Sequence, residues 1–294
     1  MSENKFIIRK ANKLAKKLRI SFSAPSGGGK TMSALLCAYG LTGDWTKIVV
    51  IDTERESSSL YADLGEYSTL ALDKPYSPER YIDAIKQCEN AGFEVIIIDS
   101  ISHEWMGVGG ILQIVESLGG EYRNWRTVTP RHDAFINTIL TSKAHVFCTA
   151  RRKEEYSMTS GSDGKMKVVK LGLKEIQRDD FTYEMDVVFD IEQNHYATAS
   201  KDRTNLFNIN TPRMIDSSIG ETLRDWASNG KPIIDDAMDL LRTVTSRKEL
   251  VMVHKKFPSV HDHADYKKLL AIKNVEYPAP SNKVAESSEE VSNS

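Results

Sequence analysis

Along the first 150 residues, short apolar runs alternate with longer segments of helical periodicity. The runs are Ile20 to Ala24, Ile48 to Ile51, Val95 to Ile98 and Val146 to Thr149, each bounded by turn or polar residues. Runs this short, rich in β-branched side chains, read as buried strands. Between them the pattern predicts helices over Lys30 to Tyr39, Pro78 to Ala91, Ile111 to Ser117 and His132 to Ser142. In the second of these, Ile82, Ile85 and Cys88 recur at the spacing of one helix face. A β, α, β, α order predicts an α/β fold with a mostly parallel sheet covered on both faces and ligands at the carboxyl ends of its strands. After Arg151 the character changes. Tyr156 to Lys170 is polar and rich in Gly, Ser and Lys, and reads as a mobile loop or loose hairpin. Asp186 to Ile191 and His195 to Ser200 read as two more strands that extend the sheet by antiparallel pairing. From Ile219 onward the pattern is helical again, including Pro232 to Val244, Arg247 to Lys256 and Tyr266 to Lys273. The expected organisation is a core over 1–229, a small helical accessory domain over 230–277 and a disordered acidic tail over 278–294.

Composition narrows the class. Of 294 residues, 39 are Lys or Arg and 41 are Asp or Glu, with 40% apolar and 27% charged. That balance suits a globular chain with a sizeable core and gives no overall signal of nucleic-acid binding. No window approaches the roughly 18 consecutive apolar residues of a membrane-spanning helix. The first 19 residues are basic but lack the apolar block and small-residue cleavage site of a secretory signal, so a cytoplasmic location is expected. Cys37, Cys88 and Cys148 are odd in number and widely spaced, and are expected to be reduced core residues.

The strongest chemical signal is Ala24-Pro25-Ser26-Gly27-Gly28-Gly29-Lys30-Thr31, directly after one expected strand and directly before an expected helix. It nearly matches the P-loop pattern, with Ala24 where the pattern has its first glycine. Glycines let backbone amides wrap a phosphate closely, and the helix N-terminus adds a favourable partial charge. Ser26, Gly27, Gly28, Gly29, Lys30, Thr31 and Met32 form the expected nucleotide cradle. Lys30 supplies the point charge for the β and γ phosphates, and Thr31 offers a hydroxyl to Mg²⁺. The matching acid is Asp99, which closes the run Glu94 to Asp99 and is expected to bind the metal or orient its water.

Four stretches, Ser23 to Thr31, Ile51 to Glu54, Ile98 to Trp105 and Ser200 to Thr204, resemble the RecA-like phage ATPases, specifically the AAA-type phage nucleotide-binding proteins of single-strand annealing and recombination. The resemblance covers about residues 1–228. It implies a RecA-like P-loop NTPase core, binding of ATP and Mg²⁺, ATP hydrolysis, and a role in phage DNA recombination or replication in the host cytoplasm. In that pattern a glutamate after the second strand polarises the attacking water, and Glu54 falls there; Glu56 and Glu104 also follow strand ends and remain rivals. The second strand is expected beside the P-loop strand, bringing Glu54 within reach of the γ-phosphate. A Lys-x-Arg pair on a late strand reaches a neighbouring subunit's γ-phosphate, and Lys201 and Arg203 match it, which implies a homo-oligomer with shared sites. Thr149 stands where a residue sensing the γ-phosphate is usual, with Arg151 or Arg152 as substitutes. His103 and Trp105 stand between a metal-site role and support of its loop.

The resemblance implies single-stranded DNA as a partner, and local charge offers candidate contacts, with a simply solvated, charge-rich loop as the alternative. Arg151 to Arg178 holds eight basic residues against four acids, with Lys153, Lys165, Lys167, Lys170 and Lys174 the leading candidates. Arg123, Arg126 and Arg131 lie beside Tyr122 and Trp125, aromatics suited to stacking on bases or to anchoring a core. Arg9 to Arg19 is a second candidate patch or an amphipathic helix packed beside the core, and the acidic Glu286 to Ser294 a candidate partner-docking or solubilising segment. A loading or assembly factor switched by nucleotide for other replication proteins is the alternative function. A small-molecule kinase would use the same P-loop, but no acceptor site is legible.

Overall fold

The computed structural model describes residues 15–160, 166–209, 211–230 and 233–278, with the backbone alone at 154–160, 166–172, 233 and 259. The chain divides into two compact units, one of Lys16–Ser228 and one of Met1–Ala15 together with Asn229–Ser294. In the first, β1 (Arg19–Ala24), α1 (Lys30–Thr42), β2 (Ile48–Asp52), β3 (Ser68–Ala71), α2 (Pro78–Asn90) and β4 (Val95–Asp99) follow in order. Next come α3 (Ser102–Met106), α4 (Ile111–Ser117), α5 (Trp125–Thr141), β5 (His145–Ser160), β6 (Met166–Glu175) and α6 (Phe181–Glu184). β7 (Val187–Ile191), β8 (Tyr196–Asp202), β9 (Arg213–Met214) and α7 (Ser217–Ser228) complete the unit.

One sheet holds these strands in the order β3-β2-β4-β5-β1-β7-β8-β9, with β6 pairing β5. From β3 to β7 every neighbouring pair is parallel, whereas β8 and β9 add on antiparallel. This is the mostly parallel α/β fold with an antiparallel extension that the pattern predicts. Strands buried on both faces read as continuous apolar runs, and β1, β2 and β4 are buried at every position. Their period of two splits the core. Ile48, Val50, Val95 and Ile97 pack with α1 and α7 on one face, while Val49, Ile51, Ile96 and Ile98 pack with α2 and α5 on the other. Cys37, Cys88 and Cys148 are buried free thiols.

Three expectations are corrected. β7 pairs parallel with β1, so only β8 and β9 form the antiparallel extension. β2 does not neighbour β1, because β4 and β5 stand between them. The fourth predicted helix begins at Trp125 rather than His132 and carries Pro130 inside it, a position that helix rules disfavour. Of the two readings of Tyr156 to Lys170, its described residues show the hairpin, since β5 and β6 pair there antiparallel with a bulge at Glu155/Tyr156. β3, a four-residue strand alternating half-buried and exposed, carries no apolar run and is not legible in the sequence.

The second unit contains α8 (Ile233–Thr243), α9 (Arg247–Lys256) and α10 (Ala264–Glu276). They close around their own apolar core of Ala237, Leu241, Leu250, Val253, Phe257 and Tyr266. Residues 1–14 and 279–294, and with them most of the basic start and the whole acidic tail, lie outside the described residues. Among the described residues no helix is long and apolar enough to cross a membrane.

Candidate functional site

The loop between β1 and α1 turns on two glycines in the left-handed region, Gly27 at φ 76° and Gly29 at φ 90°, a conformation that favours glycine. Gly28 donates its N–H to the Pro25 carbonyl at 3.1 Å, and a Cβ on Gly28 would stand 3.1 Å from the Ala24 methyl. The departure from the P-loop pattern at Ala24 is thus accommodated, because the residue facing its methyl has no side chain. Gly29 caps α1 without any side-chain hydrogen bond, and the first turn holds no acid. The leading amides of α1 have no side chain to satisfy them, and a helix N-terminus in this state suits an anion.

Charged groups from α1, the loop after β2, and strands β4 and β5 converge here. Lys30 Nζ lies 3.1 Å from Asp99 Oδ1 and 3.6 Å from Glu54 Oε1. Thr31 Oγ1 donates to Asp99 Oδ2 at 2.5 Å, and Thr149 Oγ1 donates to Asp99 Oδ1 at 2.5 Å. The register explains the second of these hydroxyl bonds, since Asp99 of β4 lies opposite Thr149 of β5. Thr149 is fully buried with its hydroxyl on Asp99, so it serves that carboxylate rather than projecting toward a phosphate. Arg151 grips Glu54 with two nitrogens, Nε to Oε1 at 2.7 Å and Nη2 to Oε2. Burial alone would raise the Glu54 carboxyl, but the Arg151 hydrogen bonds, with Lys30 alongside, hold it down at about 2.

Glu54 owes its place to the turn after β2. The Asp52 carboxylate accepts from Glu54 N at 2.7 Å and from Ser58 N at 2.9 Å, an Asx-type turn that folds the loop back over the P-loop. Thr53 Oγ1 accepts from Ser100 N at 2.8 Å and meets His103 Nδ1 at 2.7 Å, which ties the β2 and β4 ends together. His103 also stacks on Tyr76 at 4.8 Å, and burial with Arg151 nearby lowers its pKa; it supports the loop as a neutral ring. The rival acids are elsewhere. Glu104 is fully buried, shares a hydrogen bond with His132 Nδ1 at 3.0 Å, and does not line the cavity. Glu56 sits at φ 60° at the head of the next turn and is also outside the lining. The cavity itself has a volume near 730 Å³ and runs from Ser26 to Ser33 past Glu54 and Arg151 to Leu36, Leu60 and Ile215.

A family model for the AAA domain matches residues 16–218 of the chain. The chain belongs to this family of AAA-type P-loop ATPase domains. No curated protein matches the chain. Among solved structures, it is similar to a KaiC-like protein from the hyperthermophilic archaeon Pyrococcus horikoshii, at 14% identity and a TM-score of 0.43 over 68% of this chain and 87% of that one. It is also similar to an ATPase from the type III secretion system of pathogenic bacteria, at 12% identity and a TM-score of 0.37 over 88% of this chain and 72% of that one. Likenesses at this level say nothing of activity.

The donor set of the AAA domain suits Mg²⁺. Thr31 and Asp99 offer hard oxygen ligands with no sulfur or imidazole among them, and Mg²⁺ in such sites completes its shell with phosphate oxygens and water. Among the described residues there is no group of three or more His, Cys, Asp or Glu that could hold a metal ion.

Other expected residues of the AAA domain lie apart from the phosphate loop. Lys201 pairs across from Val188, early in β7, so Lys201 and Arg203 approach the amino edge of the sheet, away from the P-loop. There Lys201 Nζ donates to the Thr182 carbonyl at 2.8 Å, and Arg203 Nη2 to the Tyr183 carbonyl at 2.7 Å. Lys153 and Lys174 start the β5–β6 hairpin, and Lys174 pairs with Asp179 at 2.9 Å. Lys165 lies outside the described residues, and Lys167 and Lys170 are described by backbone only. Arg123 pairs with Glu121, Arg126 is exposed on α5, and Arg131 forms a bidentate bridge to Glu79 that ties α5 to α2. Trp125 packs with Trp105 at 5.8 Å over Ile111 and Val128, so both tryptophans anchor a small core.

Sequence reasoning misses the turn-forming Asp52 and Thr53, the grip of Arg151 on Glu54, and His195, whose ring reaches the P-loop. Asp52 carries a legible signal, a polar residue ending a strand with Ser58 six positions on. Arg151 and His195 carry none, because each meets its partner only through the sheet order.

Proposed function

We propose that the chain binds ATP with Mg²⁺ and hydrolyses it to ADP and phosphate, as an oligomer acting on single-stranded DNA in phage recombination or annealing. The observation that carries the ATPase reading is the convergence of Lys30, Glu54 and Asp99 at the uncapped start of α1. Lys30 is held between two carboxylates, and a triphosphate entering the loop would give it a stronger anionic partner. Thr31 and Asp99 would hold Mg²⁺, which supplies charge neutralisation for the phosphates. Glu54 stays ionised and accepts a hydrogen bond from the attacking water, orienting it toward the γ-phosphate. Arg151 fixes the direction of that carboxylate.

Support for DNA is the hairpin. β5 runs unbroken from Thr149, through Arg151 at the site, into an arm bearing Lys153, and its return strand carries Lys167, Lys170 and Lys174. The oligomer reading rests on Lys201 and Arg203, which stand away from the P-loop of their own chain and would, in an assembly, serve a neighbour's. ATP hydrolysis and oligomeric mass, measured with and without single-stranded DNA, test both halves. Hydrolysis stimulated by DNA supports the reading. Hydrolysis indifferent to DNA but answering to a replication protein would replace it with a nucleotide-switched loading factor. No affinity for MgATP would remove it altogether.

A further inference from the structure

The turn between β7 and β8 breaks a local rule. Its backbone closes with His195 N on the Glu192 carbonyl at 3.0 Å and Glu192 N on the Tyr196 carbonyl at 2.8 Å, and Asn194 Oδ1 accepts from Tyr196 N. In such hairpins the residue before the second strand takes the left-handed conformation, where Gly or Asn is favoured. Here that residue is His195, at φ 67°, and its side chain is exposed rather than packed in the core. His is one of the few residues besides Gly, Asn and Asp that take this conformation readily, and here it aims the ring at the phosphate loop.

The ring lines the same cavity as Lys30 and Glu54. Its Nδ1 stands 3.2 Å from the Gly28 carbonyl, and a Cβ on Gly29 would come within 3.0 Å of the same nitrogen. A carbonyl oxygen only accepts, so Nδ1 carries the proton. In a trans peptide the C=O and the following N–H point in opposite directions. With the Gly28 oxygen drawn to His195, the Gly29 amide is turned away from the hairpin. Gln193 reaches the other side of the loop, its Nε2 lying 3.4 Å from where a Gly27 Cβ would be.

We propose that His195 is a positioning residue of the phosphate site: by holding the Gly28 carbonyl it sets the Gly28–Gly29 peptide so that the Gly29 amide is presented to the nucleotide's phosphates. The β7–β8 turn is then an outer wall of the site, and the ligand class it serves is nucleoside di- and triphosphates. This rests on the nucleotide-binding reading above.

The test is His195→Gly, which relieves the backbone and removes the ring, with His195→Gln as the variant that keeps a donor. MgATP and MgADP affinities are measured by calorimetry on the full chain, and Tm is measured without nucleotide. The expected result is binding weakened about tenfold for both nucleotides in His195→Gly, the loss of one well-placed hydrogen bond. Its nucleotide-free Tm should be equal to or above the wild type, and His195→Gln should recover part of the affinity. Binding within twofold of the wild type in His195→Gly overturns the proposal, and so does a fall in the nucleotide-free Tm, which would make His195 a residue of the fold alone. If the wild type itself binds neither nucleotide, the nucleotide reading fails, a result distinct from a wild type and variant that bind equally well.

Discussion

Glu54 and His145 show how burial and neighbours set protonation at single residues. Held at about 2 by Arg151 and Lys30, Glu54 is ionised throughout the working range of an enzyme, so in the proposed hydrolysis it would orient water rather than store a proton. Glu54→Gln should bind MgATP as the wild type does while kcat falls by about 10² to 10⁴, the usual worth of such a group; unchanged turnover would remove the assignment. Arg151→Ala frees the carboxylate to swing and should lower kcat with little change in KM. His145, at the start of β5, accepts from Leu18 N at 3.0 Å through Nδ1. Burial, with Lys17 and Arg19 alongside, pushes its pKa from 6.5 down to about 3. The unfolded chain therefore binds a proton that the folded chain refuses between those values. The stability this neutral ring contributes is complete above pH 6.5 and is lost as pH falls toward 3. The slope attributable to one such group is at most about 1.4 kcal/mol per pH unit. Denaturant melts of the wild type and His145→Asn across roughly pH 4 to 7 should show the variant's curve flatter by that slope.

At the scale of elements, α1 is set by two close approaches that no helix propensity predicts. A Cβ on Gly40 of α1 would lie 1.8 Å from the Ser217 carbonyl, and one on Gly220 of α7 would lie 2.0 Å from the Cys37 carbonyl. The two helices touch backbone to backbone there. In an exposed helix, Gly→Ala gains up to about 1 kcal/mol. Here Gly40→Ala or Gly220→Ala should instead destabilise the chain by about 1 to 3 kcal/mol, the range for overpacking, and lower Tm by several degrees. A rise in Tm would show that the helices can part without penalty. The elements themselves differ in how legible they are. α4 and α9 match their predicted bounds, Ile111 to Ser117 and Arg247 to Lys256, because their apolar periodicity is carried within the segment. β3 and the start of α5 escape, because β3 is stabilised by pairing with β2 and α5 runs through Pro130 while packed on α2.

For the whole molecule, sheet order decides which residues can cooperate. β5 lies between β1 and β4, so Thr149 and Arg151 reach the acids of β4 and of the β2 loop. β8 runs back against β7, which sends Lys201 and Arg203 away from the loop that His195 touches. If those two cations serve a neighbour, subunits carrying Lys30→Ala mixed with subunits carrying Arg203→Ala should recover part of the ATPase activity that each lacks alone. No recovery would count against shared sites. Replacing Lys153, Lys167, Lys170 and Lys174 by Ala should weaken single-stranded DNA binding. Its log–log dependence on salt should also flatten, by about 0.7 for each phosphate that the variant no longer neutralises.

The sequence by itself determined the phosphate loop, the apolar run that ends in Asp99 and the parallel α/β character, because each depends on residues a few positions apart, whereas it left Glu54, Glu56 and Glu104 as rivals. The tertiary structure alone decided that Arg151 fixes Glu54, that Thr149 serves Asp99, that Glu104 is a buried partner of His132, and that His195 meets Gly28. Those contacts join residues about 28 to 167 positions apart. Which strand lies beside which is set by covering both faces of one sheet at once, a balance of packing that no local run of residues encodes.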